Sequence, residues 1–174
     1  GQPGFAKDPD ADQVREPRAI GATCGGAEVW SLYVPNGREI RDRHFTYKLD
    51  FLAALASYAR SGDGSLVVTG DFNVIPTDED VWDPALFTGS THVTPRERAA
   101  LHALTDAGLT EATAGLRGRY SYWDYQAMRF PKGQGVRIDL QYSRGLEPGA
   151  AEIDVDERRG RGASDHAPVI VDYR

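Results

Sequence analysis

Apolar residues recur with helical spacing over "RHFTYKLDFLAALASYARSG", where Phe45, Leu49, Leu52, Leu55 and Ala59 share a face and Gly62 closes the pattern. A second helix is predicted over "TPRERAALHALTDAG", with Thr94 as N-cap, Pro95 in the first position, Glu97 completing a capping box and Gly108 as terminator. Between them, Leu66 to Val68 form an unbroken apolar run that reads as a buried strand. Residues 18–24 and 28–34 read as two strands joined by Gly25 and Gly26 in a hairpin. Strand-like alternation returns over 135–143 and 167–173. Strands and helices alternate, so the expected class is α/β, and the hairpin favours a mixed sheet over a parallel one. No repeat, low-complexity tract or linker divides the chain, which is read as one domain.

Polar residues interrupt this pattern at strand ends. Side chains alternate across a strand, so Asp71 and Asn73 are expected on one side and Phe72 on the other. In "RIDLQYS", Arg137, Asp139 and Gln141 oppose Ile138, Leu140 and Tyr142. Asp165 and His166 precede the last apolar strand, while Tyr33 and Asn36 lie where "LYVPNG" leaves its own. Each has a plain alternative: an Asx-turn at "DFN", a cap or turn at "SDH", an arginine partner for Asp139. Four such strand ends together point to a ligand site, where α/β folds gather chemistry. His44, His92 and His102 lack comparable neighbours and read as surface or helix-face residues.

Composition narrows the chemistry. At 174 residues with 40% hydrophobic and 26% charged positions, the chain can bury a core. No apolar run approaches the roughly 18 residues a membrane span needs. Cys24 is the only cysteine, so no internal disulfide forms; it reads as a small buried strand residue of a protein in a reducing, cytoplasmic setting. The net charge of −6 counts against a simple electrostatic nucleic-acid binder. Base nevertheless collects locally, with Arg117, Arg119, Arg129, Lys132, Arg137 and Arg144 against Asp124 and Asp139, and again at Arg158, Arg159 and Arg161. The chain opens "GQPGFAKDPDADQ", without methionine, and reads there as a surface loop of a processed protein or fragment.

Asp and Asn oxygens are hard ligands suited to Mg²⁺ or Mn²⁺, and the lack of cysteine and paired-histidine spacing counts against zinc. His166 with a carboxylate partner suits acid–base or electrostatic work. No G-x-S-x-G elbow or P-loop occurs. The inventory adds up to phosphoester hydrolysis.

In order, "YVPNG", "GDFNVIPTDED", "YSYWDY", "VRIDL" and "SDHAPV" resemble the exonuclease III family of AP endonucleases, within the endonuclease/exonuclease/phosphatase superfamily, from about Arg18 onward. The resemblance implies a partial αββα two-sheet sandwich of the DNase I-like kind, with mixed sheets flanked by helices. It implies Mg²⁺ (or Mn²⁺) held through Asp71, Asn73 and Asp165, and catalysis by Tyr33, Asp71, Asn73, Asp139 and His166. Asp71 would orient water or move a proton, Asn73 would steady phosphate and metal, and Asp139 would hold His166 against the scissile phosphate. Arg18 and Asn36 would contact the DNA backbone, and Tyr122 and Trp123 would line the abasic-sugar pocket, with core packing as the plain alternative for one of them. The implied partner is double-stranded DNA with abasic or 3′-blocked ends, bound by a monomer that needs no membrane. The family opens with an Asn-bearing strand and a Gln-Glu motif whose glutamate binds metal; neither occurs here, so the expectation is an N-terminally truncated domain, active in the intact protein and weak or inactive alone. Two other readings follow: a same-fold phosphatase for inositol phosphates or lipid head groups, and a non-catalytic DNA-binding fragment.

Overall fold

The computed structural model describes residues 17–174, so the loop expected over residues 1–13 lies outside it. Strands β1 (Ala19–Cys24) and β2 (Ala27–Tyr33) form the expected antiparallel hairpin. Its turn residues Gly25 and Gly26 both take positive φ, which matches the right-handed twist of the flanking strands. Helix α1 (Arg43–Ser61) starts at Asp42, whose carboxylate accepts from His44 N at 2.8 Å, and crosses to β3 (Leu66–Asp71), parallel to β2. Gly62 ends α1 in extended backbone rather than the left-handed cap expected there; Gly108, after α2 (Pro95–Asp106), does turn left-handed. The predicted capping box of Thr94 and Glu97 is formed.

The short β4 (Thr110–Glu111) and β5 (Asp139–Arg144) complete a five-stranded mixed sheet in the order β1-β2-β3-β5-β4, with β3 and β5 antiparallel. β5 is shorter than the alternation over 135–143 predicts, because Arg137 N donates to Asp80 O and Val136 makes only isolated bridges to Val81 and Tyr122. A separate two-stranded sheet pairs β6 (Pro148–Ile153) with β7 (Val169–Tyr173). β6 carries small and polar residues and was not foreseen.

One face of the large sheet, with Trp30, Leu32, Leu66, Val68, Leu140 and Tyr142, packs on Phe51, Leu52 and Leu55 of α1 and Leu101 and Leu104 of α2. The opposite face meets β7 through Gln141, whose Nε2 donates to Val169 O at 2.9 Å. The described residues thus layer as helices, mixed sheet and second sheet. Cys24, expected to be buried, is exposed at the end of edge strand β1, where its face has no covering layer among the described residues. Among those residues no helix is long and apolar enough to cross a membrane.

Two cations of the basic clusters lie inside. Arg137 is fully buried, bidentate to Asp80 at 2.7 and 3.0 Å and bonded to Glu111 at 2.8 Å. Arg158 is buried over the rings of Phe130 and Tyr125. Both leave the local basic surplus, because a guanidinium enters a core only where carboxylates or aromatic faces receive it.

Gly70 is the second-last residue of β3 with φ 137°, and a Cβ there would lie 2.0 Å from Leu32 O. Gly70→Ala is therefore expected to destabilise the fold by at least about 3 kcal/mol, seen as a lower urea midpoint. An unchanged midpoint would contradict this strand approach.

Candidate active site

Strand register sets the site. Tyr33 on β2 is paired with Asp71 on β3, and Asp71 with Asp139 on β5, so the three stand in one row across the end of the sheet. Residues in one row share a face, and here they open into a cleft of about 770 Å³.

After Asp71 the chain turns. Asp71 Oδ1 accepts from Asn73 N at 2.8 Å, and Oδ2 accepts from Asn73 Nδ2 at 3.1 Å. Asn73 takes φ 51°, a left-handed conformation that Asn tolerates. The side chains of Asp71 and Asn73 therefore meet through an Asx-turn, not through the strand alternation expected at that point. Asn73 is buried; its Nδ2 also donates to Val34 O, and its Oδ1 accepts from Asn36 Nδ2 at 3.2 Å.

Asn36 Nδ2 also lies 3.3 Å from His92 Nε2. His92 lines the cleft with φ 83°, contrary to its reading as a surface residue. Burial, helped by the Lys48 charge, pushes its pKa down to about 4, so near neutral pH its Nε2 can accept from Asn36.

These three residues rest on one buried ion pair. Lys48 Nζ donates to Asn73 O at 2.5 Å, to Asn36 O at 3.2 Å and to Glu97 Oε1. Glu97 Oε1 also accepts from His92 N at 2.8 Å and Thr91 Oγ1 at 2.8 Å. Burial opposes the charge on Glu97, but Lys48, His92 N and the Thr94 hydroxyl outweigh it and hold the carboxyl below its ordinary range.

Across the cleft, His166 Nδ1 lies 2.8 Å from Asp139 Oδ2, and its ring packs 4.8 Å from that of Tyr122. Burial works against the imidazolium, yet Asp139, Asp71 and Asp165 prevail and raise its pKa. Asp71 is desolvated and faces Asp139, and its pKa rises to about 7.

Tyr33, Asn36, Asp71, Asn73, Tyr122, Asp139, Asp165 and His166 all line the cleft. Trp123 does not: following Tyr122 in extended chain, it points the other way and packs edge-on against Tyr120 and Phe130. Arg18 is not a wall either; its guanidinium lies 5.0 Å over the Tyr33 ring and 5.9 Å from that of Tyr47, which holds it behind the tyrosine. Residues that sequence reasoning missed are His92, Trp82, Leu86, Phe87 and Arg129 on the walls, and Lys48 and Glu97 beneath. Glu97 was visible only as a cap; a lysine inside the apolar face of α1 was the one signal for the ion pair.

The hard oxygens of Asp71, Asn73 and Asp165, with two carboxylates facing each other across β3 and β5, fit a divalent cation in kind. In number they fall short: among the described residues no three His, Cys, Asp or Glu side chains are grouped to hold an ion.

A family model described as endonuclease/exonuclease/phosphatase matches residues 3–166. An exodeoxyribonuclease of Bacillus subtilis (strain 168) is 27% identical over 166 residues, covering 89% of this chain and 63% of that protein. The DNA repair nuclease APEX1 of Danio rerio is 30% identical over 166 residues, covering 90% of this chain and 52% of that protein. The 3′-5′ exonuclease NExo of Neisseria meningitidis superposes with a TM-score of 0.85 at 31% identity, over 95% of this chain and 68% of that one. A 3′ phosphatase NExo from Neisseria, bound to a product DNA hairpin, gives 0.83 at 31%, over 91% and 66%. The chain thus spans about half to two thirds of the length of these relatives.

Lys48→Met leaves Glu97 buried without its cation and is expected to cost about 3–5 kcal/mol, with Lys48→Met/Glu97→Gln costing less than the sum of the singles. A double-mutant cycle in urea checks this, and simple additivity would remove the coupling. Asp71 binds its proton more tightly folded than unfolded, so its ionisation subtracts stability as pH climbs from the ordinary carboxylate range through about 7. Asparagine cannot ionise. The stability of Asp71→Asn relative to the parent should therefore rise between about pH 4 and pH 8, by up to about 4 kcal/mol; a pH-independent difference would contradict the shift.

Proposed function

The chain belongs to the endonuclease/exonuclease/phosphatase family, and on that premise we propose that the whole protein is a Mg²⁺- or Mn²⁺-dependent DNA phosphodiesterase of base-excision repair, acting at abasic sites and at 3′ ends as an exonuclease or 3′-phosphatase. Members of the family are nucleases and phosphatases, they generally depend on a metal, and the relatives named above act on DNA. We propose further that residues 1–174 belong to one such domain.

The row of Tyr33, Asp71 and Asp139, with His166 fastened to Asp139, carries this reading. With its pKa raised to about 7, Asp71 is divided between protonated and ionised forms near neutral pH and is suited to take a proton from water or give one to a leaving oxygen. Asp139 orients His166 and favours its charged form, which leaves Nε2 as a charge-assisted donor to a phosphate oxygen. Tyr33 presents a phenol from the end of β2, and Asn36 presents an amide held by Asn73 and His92. Asp71, Asn73 and Asp165 would hold the cation, which would offset charge on the phosphate. The short donor count favours a second reading, in which these residues bind DNA without cutting it.

A duplex carrying one abasic-site analogue separates the two. Cleavage 5′ to the lesion is expected with Mg²⁺ and not with EDTA, and Asp71→Asn should lower the rate by at least about 100-fold while leaving duplex affinity near the parent value. Equal rates for parent and variant would sink the assignment. Binding without product at any metal concentration would establish the second reading.

A further inference from the structure

The cleft has a wall that the phosphate chemistry leaves unused. Trp82, Leu86 and Phe87 line it from the loop after Val81, and Arg129 and Gln134 line it from the chain approaching β5. The two segments are tied together: Trp82 N donates to Gly135 O at 3.1 Å, and Val81 bridges Val136. The Arg129 guanidinium lies 5.4 Å over the Trp82 ring, and its Nη1 donates to Gln134 Oε1 at 3.4 Å. Trp82 and Phe87 pack in part on the cluster of Ile75, Val81, Val136 and Ile138, but Trp82 is only half-buried and Leu86 is 61% exposed, so the wall keeps apolar surface open to the cleft.

Packing alone accounts for a single exposed leucine. It does not account for an indole and a guanidinium held on each other at the mouth of a cleft whose other side gathers carboxylate, amide, imidazole and phenol groups. Indole and guanidinium planes are the protein groups that stack best on nucleobases, whatever the base. A volume of about 770 Å³ accommodates a sugar, a phosphate and a base together. An inositol phosphate or a lipid head group has no flat aromatic part to meet such a wall.

We propose that Trp82 and Arg129 form a base-stacking subsite that receives an unpaired nucleobase beside the scissile phosphate, so that the terminal nucleotide of a DNA strand enters the cleft with its base attached. The assignment rests on the phosphodiesterase reading and deepens it: a frayed 3′ end is bound by base and phosphate at once, whereas a baseless sugar uses the polar wall alone. Arg129 keeps its stack by turning one face to Trp82, and Leu86 and Phe87 exclude water beside the base.

The test follows the indole N–H signals of the three tryptophans and the His166 ring signals of the ¹⁵N-labelled chain during titration with dAMP, with deoxyribose 5-phosphate as the baseless control. The expected result is that dAMP shifts Trp82, with Trp30 and Trp123 unmoved, and binds at least about fivefold tighter than the control. Arg129→Ala should erase that preference, and Trp82→Ala should do the same. Equal affinity for both ligands, with His166 responding to each, would overturn the stacking subsite and leave the phosphate site standing. Movement of Trp82 that persists unchanged in Arg129→Ala would overturn the role of the pair. No response from His166 or Trp82 to either ligand would overturn both the subsite and the phosphodiesterase reading.

Discussion

An ammonium group sealed from water is costly unless acceptors surround it, and Lys48 is fully buried on the inner face of α1. Its acceptors are Glu97 from the first turn of α2 and the main-chain oxygens of Asn36 and Asn73. The segments that leave β2 and β3 are thereby tied to two helices at one point. Glu97 extends the tie to a third segment through His92 N. Without these bonds, the main-chain oxygens of Asn73 and Asn36 would lose their shared cation, and the left-handed turn at Asn73 would rest on side-chain bonds to Asp71, Val34 and Asn36. The side chains that meet in the cleft stand on a polar foundation that is itself inside the core.

The opposite side of the cleft is organised by a like-charge contact. β3 and β5 pair Asp71 with Asp139, and neither strand can slip without turning its apolar residues out of the core. The sheet therefore enforces a proximity that the carboxylates disfavour. His166 relieves part of it by binding Asp139, while Asp71 keeps a proton to about pH 7. Hydrophobic packing of Val68, Leu140 and Tyr142 against the helices holds this arrangement in place. Arg137, bound to Asp80 and Glu111, fixes the entry to β5 from below and so sets where Asp139 begins the strand.

Much of the site was legible because it lies at strand ends, where polar residues stand out against apolar neighbours. Asp71, Asp139, Asp165 and His166 were found that way, and the ordered motifs carried the resemblance to the exonuclease III family that the relatives bear out. The residues overlooked sit in irregular chain. Trp82, Leu86, Phe87 and His92 follow β3 through turns and short 3₁₀ segments, which have no period to say which side chains face inward. Of the two aromatics read as pocket lining or core, Trp123 belongs to the core, since neighbours in extended chain point to opposite sides.

Local chemistry determined the helices, the hairpin, the buried strand and the capping box, because each depends on spacing within a few residues. The mixed α/β sheet followed from the order of those elements, and its DNase I-like two-sheet character from the resemblance that the ordered motifs carry. Tertiary structure alone decided which cations are buried. Lys48 and Arg137 resemble surface residues until Glu97, Asp80 and Glu111 arrive from distant parts of the chain. It also decided the register that sets Tyr33, Asp71 and Asp139 in one row, and the meeting of Trp82 with Arg129. Partners of that kind are separated by tens of residues, and only a folded core brings them within bonding distance.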